Sequence, residues 1–571
     1  MVDFAQLRDA KLDELDGAWR SWRKLVEQLE QAEDIYRDKF LQGVRTSRWK
    51  GPDAEAALRT LVPEQERIRV ASGDASSVAG VLNSAQSKFK AAQVKLLNYI
   101  GEAQMRYLKV GHDGSIDFPD ALPSAYSDWD QLKKIAAGIQ QQFVQALKEA
   151  NAADQQIAAA LRGLGPGILD AKNALAELRN DAKTAAQLAG FDPNNLPPKG
   201  TKTPQQVAAW WKSLPEEQRH LLMNAYPEKI GWLDGIPSED RNEANRTRLA
   251  ARINQLEEKG NNLTRYQHRD LERLRKLNNA ISMYESKGQD VYLLGLDSTI
   301  TTRSEYDKGN GSDGRAIVAF GKPDTAKHTG VYVPGTTENL DNFTGSMNRT
   351  FNLNQAASML TGGPVSTVAW LGYDAPNNVL DHLLPGDAAV PGYAIRGGAQ
   401  LGSFVDGLRV AQNDVGDAGS QMTLVGHSYG STVIGEAALQ HEGKLPVNDI
   451  VVAGSPGMHV AHAGDLGIGA RHVWAEKAPG DIVPPAGKLF HGGWTLHGPQ
   501  VPSDPGFGGN RLDTDGHGHS DYWNDYELTG RPDPDPYRFG TPGVSLEQQA
   551  KVVAGLHYDH DPTNDPARVN G

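Results

Sequence analysis

One segment around residue 428 constrains the fold more than any other part of the sequence. The apolar residues 422–425 lead into Gly-His-Ser-Tyr-Gly at 426–430, and the small and apolar residues 431–439 have the composition of a helix. Gly-x-Ser-x-Gly between a strand and a helix is typical of a sharp turn that exposes the serine, because the glycines let strand and helix approach closely. We therefore predict an α/β sheet with Ser428 as a nucleophile at a strand end. A merely structural turn is the alternative.

A serine hydroxyl becomes a nucleophile at neutral pH only when a base accepts its proton and a carboxylate orients that base. In chains with this turn the expected order is serine, acid, histidine. Asp481 follows the predicted strand 472–475 and is the leading acid, with Asp465 as the alternative. His519, in a loop rich in glycine, is the predicted base. The other histidines that follow Asp481 are His491, His497, His517, His557 and His560.

An oxyanion that forms at Ser428 needs two backbone N–H donors. The helix after Ser428 directs its first amides, beginning with that of Tyr429, toward the serine. A Pro-Gly-Thr-Thr turn at 334–337 follows another predicted strand. We predict the Thr336 amide as the second donor, with the Thr337 amide as the alternative.

The loop that contains His519 also suggests a metal site, with Asp515, His517, His519 and Asp521 as candidate ligands. Its His-x-His pair has no third ligand at a fixed spacing and no glutamate at helical spacing, which makes the pattern weak. The chain has no cysteine, so thiolate sites are excluded. The sequence therefore predicts neither a metal nor a cofactor.

Glycine divides the chain near residue 289, since glycine collects in turns and loops and is unfavourable inside helices. Of the 61 glycines, 18 lie in residues 1–288 and 43 in residues 289–571. We predict a helical front half, made of residues 1–125 and 126–289, before an alternating α/β domain at 290–571. The strands predicted there are residues 291–296, 315–320, 329–333, 366–371, 422–425, 449–453 and 472–475, with an antiparallel edge and a parallel centre.

Apolar residues between positions 12 and 29 recur at spacings of three and four, which is typical of a helix that packs against a partner helix. The pattern predicts a helix over residues 4–44. After a turn at Trp49, a second helical stretch is predicted to about residue 110, with an interruption near Pro63 and Gly73. The two stretches are expected to form a helical hairpin.

The turn Trp49-Lys50-Gly51 between two long helices resembles the WXG100 family of type VII secretion substrates. The resemblance implies that residues 1–125 bind a helical-hairpin partner and that the protein is secreted or associated with the cell envelope by a leaderless route. Charged residues are spread through the first twenty positions, so no apolar signal segment is expected. A cytoplasmic location is the alternative.

Charge and hydropathy exclude two further classes of protein. Lys and Arg number 58 against 71 Asp and Glu, a formal charge of −13. Proteins that bind nucleic acid usually carry clustered positive charge, so nucleic acid is not an expected partner. No run of 18 apolar residues occurs, so no transmembrane segment is predicted.

Six short motifs lie in order over about 190 residues of the back half: Val-Pro-Gly-Thr at 333–336, Ala-Trp-Leu-Gly-Tyr-Asp-Ala-Pro at 369–376, Phe-Val-Asp-Gly-Leu-Arg at 404–409, Gly-His-Ser-Tyr-Gly-Ser at 426–431, Gly-Ser-Pro-Gly-Met at 454–458 and Gly-His-Ser-Asp-Tyr at 518–522. Together they resemble the DUF1023 family of actinobacterial α/β-hydrolases. The resemblance implies an α/β-hydrolase domain with a mostly parallel central sheet, behind an all-α half. It also implies a serine hydrolase that uses Ser428, Asp481 and His519.

We therefore expect a serine hydrolase of the esterase or lipase type, which acts on an ester or lipid through an acyl-enzyme on Ser428. Two alternatives stay open. One is a type VII-secreted effector with phospholipase-like activity. The other is a catalytically inactive α/β-hydrolase fold that serves as an interaction protein.

Overall fold

The computed structural model describes residues 2–41, 43–44, 49, 51–163, 174–300, 313–377, 380–381, 384–385, 387–416, 419–515, 518–526 and 537–556. Three candidate histidines, His517, His557 and His560, lie outside these residues.

The front half of the chain is mainly helical, with one short pair of strands, and the back half alternates helices with strands. The helices are α1 (Phe4–Asp9), α2 (Asp13–Ile35), α3 (Pro52–Met105), α4 (Trp129–Gly163), α5 (Ala174–Leu188), α6 (Pro204–Ser213), α7 (Glu216–Ala225), α8 (Pro227–Ile230), α9 (Ser238–Glu257), α10 (Arg265–Ser286), α11 (Thr344–Thr361), α12 (Gly392–Asp414), α13 (Tyr429–Gln440), α14 (Val483–His491) and α15 (Val544–Val553). The strands are β1 (Lys109–Val110), β2 (Ile116–Asp117), β3 (Val291–Ile300), β4 (Asp313–Phe320), β5 (His328–Val333), β6 (Val365–Leu371), β7 (Leu380–Asp381), β8 (Leu384–Pro385), β9 (Gln421–His427), β10 (Asp449–Ala453), β11 (Val473–Glu476), β12 (Gly493–Thr495), β13 (Gly498–Gln500), β14 (Asn510–Arg511), β15 (Asp525–Tyr526) and β16 (Thr541–Pro542).

The chain divides into two compact units. Unit 1 contains Met1–Lys39, Glu64–Leu196 and Leu214–Tyr226, and unit 2 contains Phe40–Pro63, Pro197–Ser213 and Pro227–Gly571. These units are groups of residues in contact, so the division of the chain at residues 125 and 289 into three domains stays a prediction.

The start of unit 1 differs from the single helix predicted over residues 4–44. Asp3 and Gln6 form a capping box that begins α1, and the backbone becomes extended at Ala10, where φ is −58° and ψ is 126°. An extended residue cannot continue an α-helix, so α2 begins separately at Asp13. The apolar spacing from residue 12 to residue 29 therefore belongs to α2 alone.

The interruption predicted near Pro63 and Gly73 is wrong, because α3 runs without a break from Pro52 to Met105. Pro63 costs the helix one backbone hydrogen bond, since proline has no N–H. A Cβ at Gly73 would lie 3.0 Å from side-chain atoms of Leu178 and Asn224. Gly73 is therefore a position of close helix packing.

Unit 2 contains an eight-stranded sheet in the order β14-β11-β10-β9-β5-β6-β4-β3. The pairs from β14 to β6 are parallel, and β6, β4 and β3 pair in antiparallel fashion. All seven predicted strands are present, with ends shifted by a few residues. The helical front half and mostly parallel sheet confirm the predicted fold class. The eighth strand, β14, has only two residues, too few for a periodic pattern.

The sheet is buried on both faces. Successive side chains of a strand point to opposite faces, and in β9 Leu424 joins an apolar cluster with α12 and α13 while Val425 joins another with α11 and α15. Parallel strands covered by helices on both faces are apolar throughout. This explains why β9 and β10 are mostly apolar in the sequence rather than alternating between apolar and polar residues.

Within the described residues, no helix combines the length and the apolar character needed to cross a membrane.

Candidate active site

Ser428 lies between β9 and α13 in a backbone conformation that is rare for a residue with a side chain. Its φ is 52° and its ψ is −128°. The flanking glycines permit this turn: a Cβ at Gly426 would lie 2.9 Å from Ser431 Cα, and a Cβ at Gly430 would lie 2.1 Å from the carbonyl oxygen of Val333. Strained residues that a fold holds in place occur often at functional sites. The turn therefore has the geometry expected from Gly-x-Ser-x-Gly.

The Ser428 side chain faces the loop that follows β5. A Cβ at Gly335 would lie 3.2 Å from Ser428 Oγ, so only a glycine leaves this space open. The Ser428 amide donates to the carbonyl of Ala453 at 3.0 Å, at the end of β10. The Ser428 side chain therefore lies next to Gly335 in the loop at 334–337.

Asp481 and His519 form a hydrogen-bonded pair. His519 Nδ1 donates to the Asp481 carboxylate at 2.9 Å and 3.0 Å, and the Asp481 side chain is fully buried. Burial alone raises the pKa of this carboxyl, but hydrogen bonds from His519, Tyr522 and Val483 outweigh burial and lower the pKa below its usual value. Asp481 is therefore ionised at neutral pH and orients the imidazole of His519.

Gly454 locates this pair relative to Ser428. A Cβ at Gly454 would lie 2.6 Å from Asp481 Oδ2 and 2.8 Å from ring atoms of His519. Gly454 directly follows Ala453, whose carbonyl accepts the Ser428 amide. The Asp481–His519 pair thus lies beside the end of β10, which is the strand adjacent to β9, and Ser428 directly follows β9.

His427 holds the backbone of His519. Its Nε2 donates to the His519 carbonyl at 2.8 Å, and the two rings lie 4.8 Å apart. Burial, with smaller contributions from Arg349 and His519, holds the pKa of His427 well below its usual value, so this imidazole is neutral. The residue before the serine therefore supports the loop that carries the predicted base.

Two alternatives from the sequence lie elsewhere. Asp465 accepts the His462 amide at 2.9 Å and begins the short 3-10 turn Ala463–Leu466. His491 contacts His459 and the ring of Tyr429. The acid and base of the hydrogen-bonded pair are therefore Asp481 and His519, whereas Asp465 and His491 have these other partners.

The two predicted oxyanion donors belong to different segments, Tyr429 to the start of α13 and Thr336 to the loop that follows β5. Tyr429 is the first residue of α13, where the amide has no acceptor inside the helix. The Thr337 amide donates to the Pro376 carbonyl at 2.8 Å, and the Tyr373 hydroxyl fixes the Pro334 carbonyl at 2.7 Å. Because the Thr337 amide is committed to Pro376, Thr336 is the better candidate of the two threonines.

Tyr522 is a site residue to which sequence reasoning assigned no role. Its hydroxyl donates to Asp481 Oδ2 at 2.6 Å. The residue lies in the motif Gly-His-Ser-Asp-Tyr at 518–522, three positions after His519. The motif places Tyr522 close to His519 in the sequence. Its contact with Asp481 could not be predicted, because a contact between two loops has no characteristic spacing in the sequence.

The carboxylates near His519 bond to backbone amides. Asp515 accepts from Val544 and Ser545, and Asp521 accepts from Gly518. Elsewhere among the described residues, ligand atoms of Glu30, Glu216 and His220 in unit 1 lie within 4.8 Å of one another. The Glu30–His220 ion pair of 3.0 Å already accounts for two of these three.

Sequence comparison relates the site to known proteins. A family model described as alpha/beta hydrolase matches residues 310–489. The uncharacterized protein Rv2079 of Mycobacterium tuberculosis (strain ATCC 25618 / H37Rv) is 32% identical over 356 residues, which are 56% of this chain and 51% of that protein. Rv0963c of the same strain is 34% identical over 170 residues, which are 28% of this chain and 58% of that protein. The chain spans about half the length of the curated relatives it matches.

Among solved structures, the Pyrobaculum calidifontis esterase matches 53% of this chain and 97% of its own, with 10% identity and a TM-score of 0.27. A thermostable esterase from Pseudomonas putida ECU1011 matches 48% of this chain and 80% of its own, with 8% identity and a TM-score of 0.24. The family match and the eight-stranded, mostly parallel sheet identify the C-terminal region of this chain as an α/β-hydrolase domain.

Proposed function

We propose that this chain is a serine hydrolase that cleaves carboxylic esters through an acyl-enzyme on Ser428. The main support is the hydrogen bond between Asp481 and His519, a pair that lies beside Gly454. The residue before Gly454 is Ala453, whose carbonyl accepts a hydrogen bond from the Ser428 amide. A buried carboxylate that orients an imidazole next to a serine in a strained turn is the arrangement that acyl transfer requires.

The reaction has two balanced halves. Ser428 Oγ bonds to the acyl carbon while its proton passes to His519, and Asp481 stabilises the imidazolium. The amides of Tyr429 and Thr336 donate to the oxyanion. Collapse of this intermediate breaks the ester bond, and the leaving alcohol takes the proton from His519. Water then attacks the acyl-enzyme with proton transfer to His519, and the second collapse releases the carboxylic acid and returns the proton to Ser428.

The experiment that tests this function is labelling with a fluorophosphonate probe, alongside turnover of p-nitrophenyl acetate. We expect the wild type to label and Ser428→Ala to lose labelling and at least about 10⁴-fold in kcat. Ser455→Ala is the matched control, since Ser455 lies in a Gly-Ser-Pro-Gly sequence at the end of the adjacent strand. A folded wild type that neither labels nor hydrolyses would favour the interaction-protein alternative.

The surface after Asp481 favours a lipid-like substrate. One side of this segment packs closely on the domain: a Cβ at Gly487 would lie 2.3 Å from Pro456 Cβ, and a Cβ at Gly493 would lie 2.0 Å from the carbonyl carbon of Val460. The other side exposes large apolar residues that we call the apolar surface. They are Ile482 (74% exposed), Leu489 (60%), Phe490 (44%), Trp494 (66%) and Leu496 (102%).

Single exposed apolar residues are ordinary, whereas several together usually mark a place that contacts apolar material. Five such side chains lie in the fifteen residues that directly follow Asp481. They could contact a lipid surface in which the substrate is embedded. We therefore propose long-chain or phospholipid esters as the substrate class, which agrees with the phospholipase-like alternative.

We further propose, from the resemblance at Trp49-Lys50-Gly51, that residues 1–125 bind a helical-hairpin partner and that export is leaderless. Fractionation of producing cells into cytoplasm, envelope and medium tests this location independently of the hydrolase assays. Protein confined to the cytoplasm would contradict it.

A further inference from the structure

The loop that carries His519 is joined to the loop that carries Asp481 by the side chain of Tyr522. The Tyr522 hydroxyl donates to Asp481 Oδ2 at 2.6 Å and accepts the Ala478 amide at 2.8 Å. The residue is fully buried. Because the Ala478 amide occupies the acceptor side of this hydroxyl, the hydroxyl hydrogen is directed at the carboxylate.

The Asp481 carboxylate receives three kinds of donor. His519 contributes its imidazole N–H, Val483 its backbone N–H at 2.9 Å, and Tyr522 its hydroxyl. A buried carboxylate is costly unless such donors stabilise its charge. Burial raises the pKa of Tyr522 above its usual value, so its hydroxyl remains a donor at every working pH.

We propose that Tyr522 is a positioning residue of the ester-cleaving site. Its hydroxyl fixes the Asp481 carboxylate in the orientation that His519 needs, and it withdraws part of the carboxylate charge from the imidazole. This inference rests on the proposed function. In this role Tyr522 acts through Asp481, to which its buried hydroxyl donates.

The other titratable groups around this pair are His427, Arg349 and Glu476. His427 is neutral, as shown above. Glu476 is buried, and burial raises its pKa well above the usual value. Arg349 is bonded to the Tyr332 hydroxyl at 3.0 Å. The His519 imidazole itself bonds to Asp481.

The test is Tyr522→Phe in the full chain, which keeps the ring and its contacts with Trp523 and His427. Loss of one hydrogen bond to a charged group should lower kcat for p-nitrophenyl acetate by roughly 10- to 100-fold, with KM nearly unchanged. Because the carboxylate then holds the imidazolium more strongly, the acidic limb of the kcat/KM profile should move to higher pH.

Tyr526→Phe is the matched control, a half-buried tyrosine four residues along the same segment, and it should leave both the rate and the profile unchanged. Two results would overturn the inference: wild-type kcat in Tyr522→Phe, or a lower kcat with an acidic limb that is unmoved or shifted to lower pH. The second result would mean that Tyr522 serves packing alone. An inactive wild type would overturn the proposed function itself, whereas an active wild type with an unaffected variant would overturn only the role of Tyr522.

Discussion

Gly454 leaves the space in which the Asp481–His519 pair lies. It has a φ of +61°, a conformation that favours glycine, and its missing Cβ leaves the space that Asp481 and His519 fill. His427 acts from the other side by donating to the His519 carbonyl. Two residues at adjacent strand ends therefore add to the hydrogen bond from Asp481 in positioning His519.

Gly454→Ala should lower kcat/KM by at least about 10-fold and should destabilise the fold by about 1 kcal/mol or more, because the new methyl group requires the pair to move and the backbone is strained. Gly464→Ala is the control, since a Cβ there meets no atom within 4 Å. Steady-state kinetics and thermal unfolding of both variants provide the measurement. Equal activity of the two variants would show that the pair tolerates displacement.

At the scale of elements, the apolar surface on α14 and the β12–β13 hairpin should affect activity only when the substrate is in a lipid surface. The variant with both Trp494→Ser and Leu496→Ser should lose at least about 10-fold in activity on phospholipid vesicles, because it removes apolar area that would be buried on binding. Its turnover of soluble p-nitrophenyl acetate should stay unchanged. Met359→Ser, at a 70% exposed position of α11, is the control. Equal losses on both substrates would contradict a role in lipid contact.

The sequence predicted elements well where one periodic pattern controls the structure. The apolar runs of β9 and β10 are buried on both faces, so their positions were clear. The pairing of Asp481 with His519 followed from chain order and the need for an orienting acid. The contact of Tyr522 with Asp481 could not be predicted, because it depends on how two irregular loops meet. The unbroken α3 was missed because packing at Gly73 outweighs the low helix propensity of glycine.

At the scale of the whole molecule, buried histidine makes stability depend on pH. His491 packs on the Tyr429 ring at 5.3 Å, and its Nδ1 lies 3.2 Å from His459 Nε2. His459 in turn contacts Glu436 at 2.6 Å. Burial, followed by the proximity of His459, lowers the pKa of His491 from 6.5 to about 4.

Because the pKa of His491 is lowered in the folded chain, acid destabilises the fold over a defined range of pH. Above pH 6.5, His491 is neutral in both the folded and the unfolded chain, so it adds no pH dependence. Between pH 6.5 and 4 the unfolded chain binds a proton that the folded chain does not, and stability falls by about 1.4 kcal/mol per pH unit. Urea unfolding at pH 7 and pH 5 should therefore show that the wild type loses about 2 kcal/mol more than His491→Gln. Equal losses in the two proteins would mean that His491 titrates normally.

The close packing at Gly487 and Gly493 has a consequence for how the surface of this domain can vary. Those contacts involve the backbone of the segment after Asp481, so they do not depend on which side chains point outward. Exchange of the outward residues can therefore change the surface chemistry of the domain while these backbone contacts stay in place. For protein engineering, the segment offers exposed positions that can be altered without disturbing the packing beneath them.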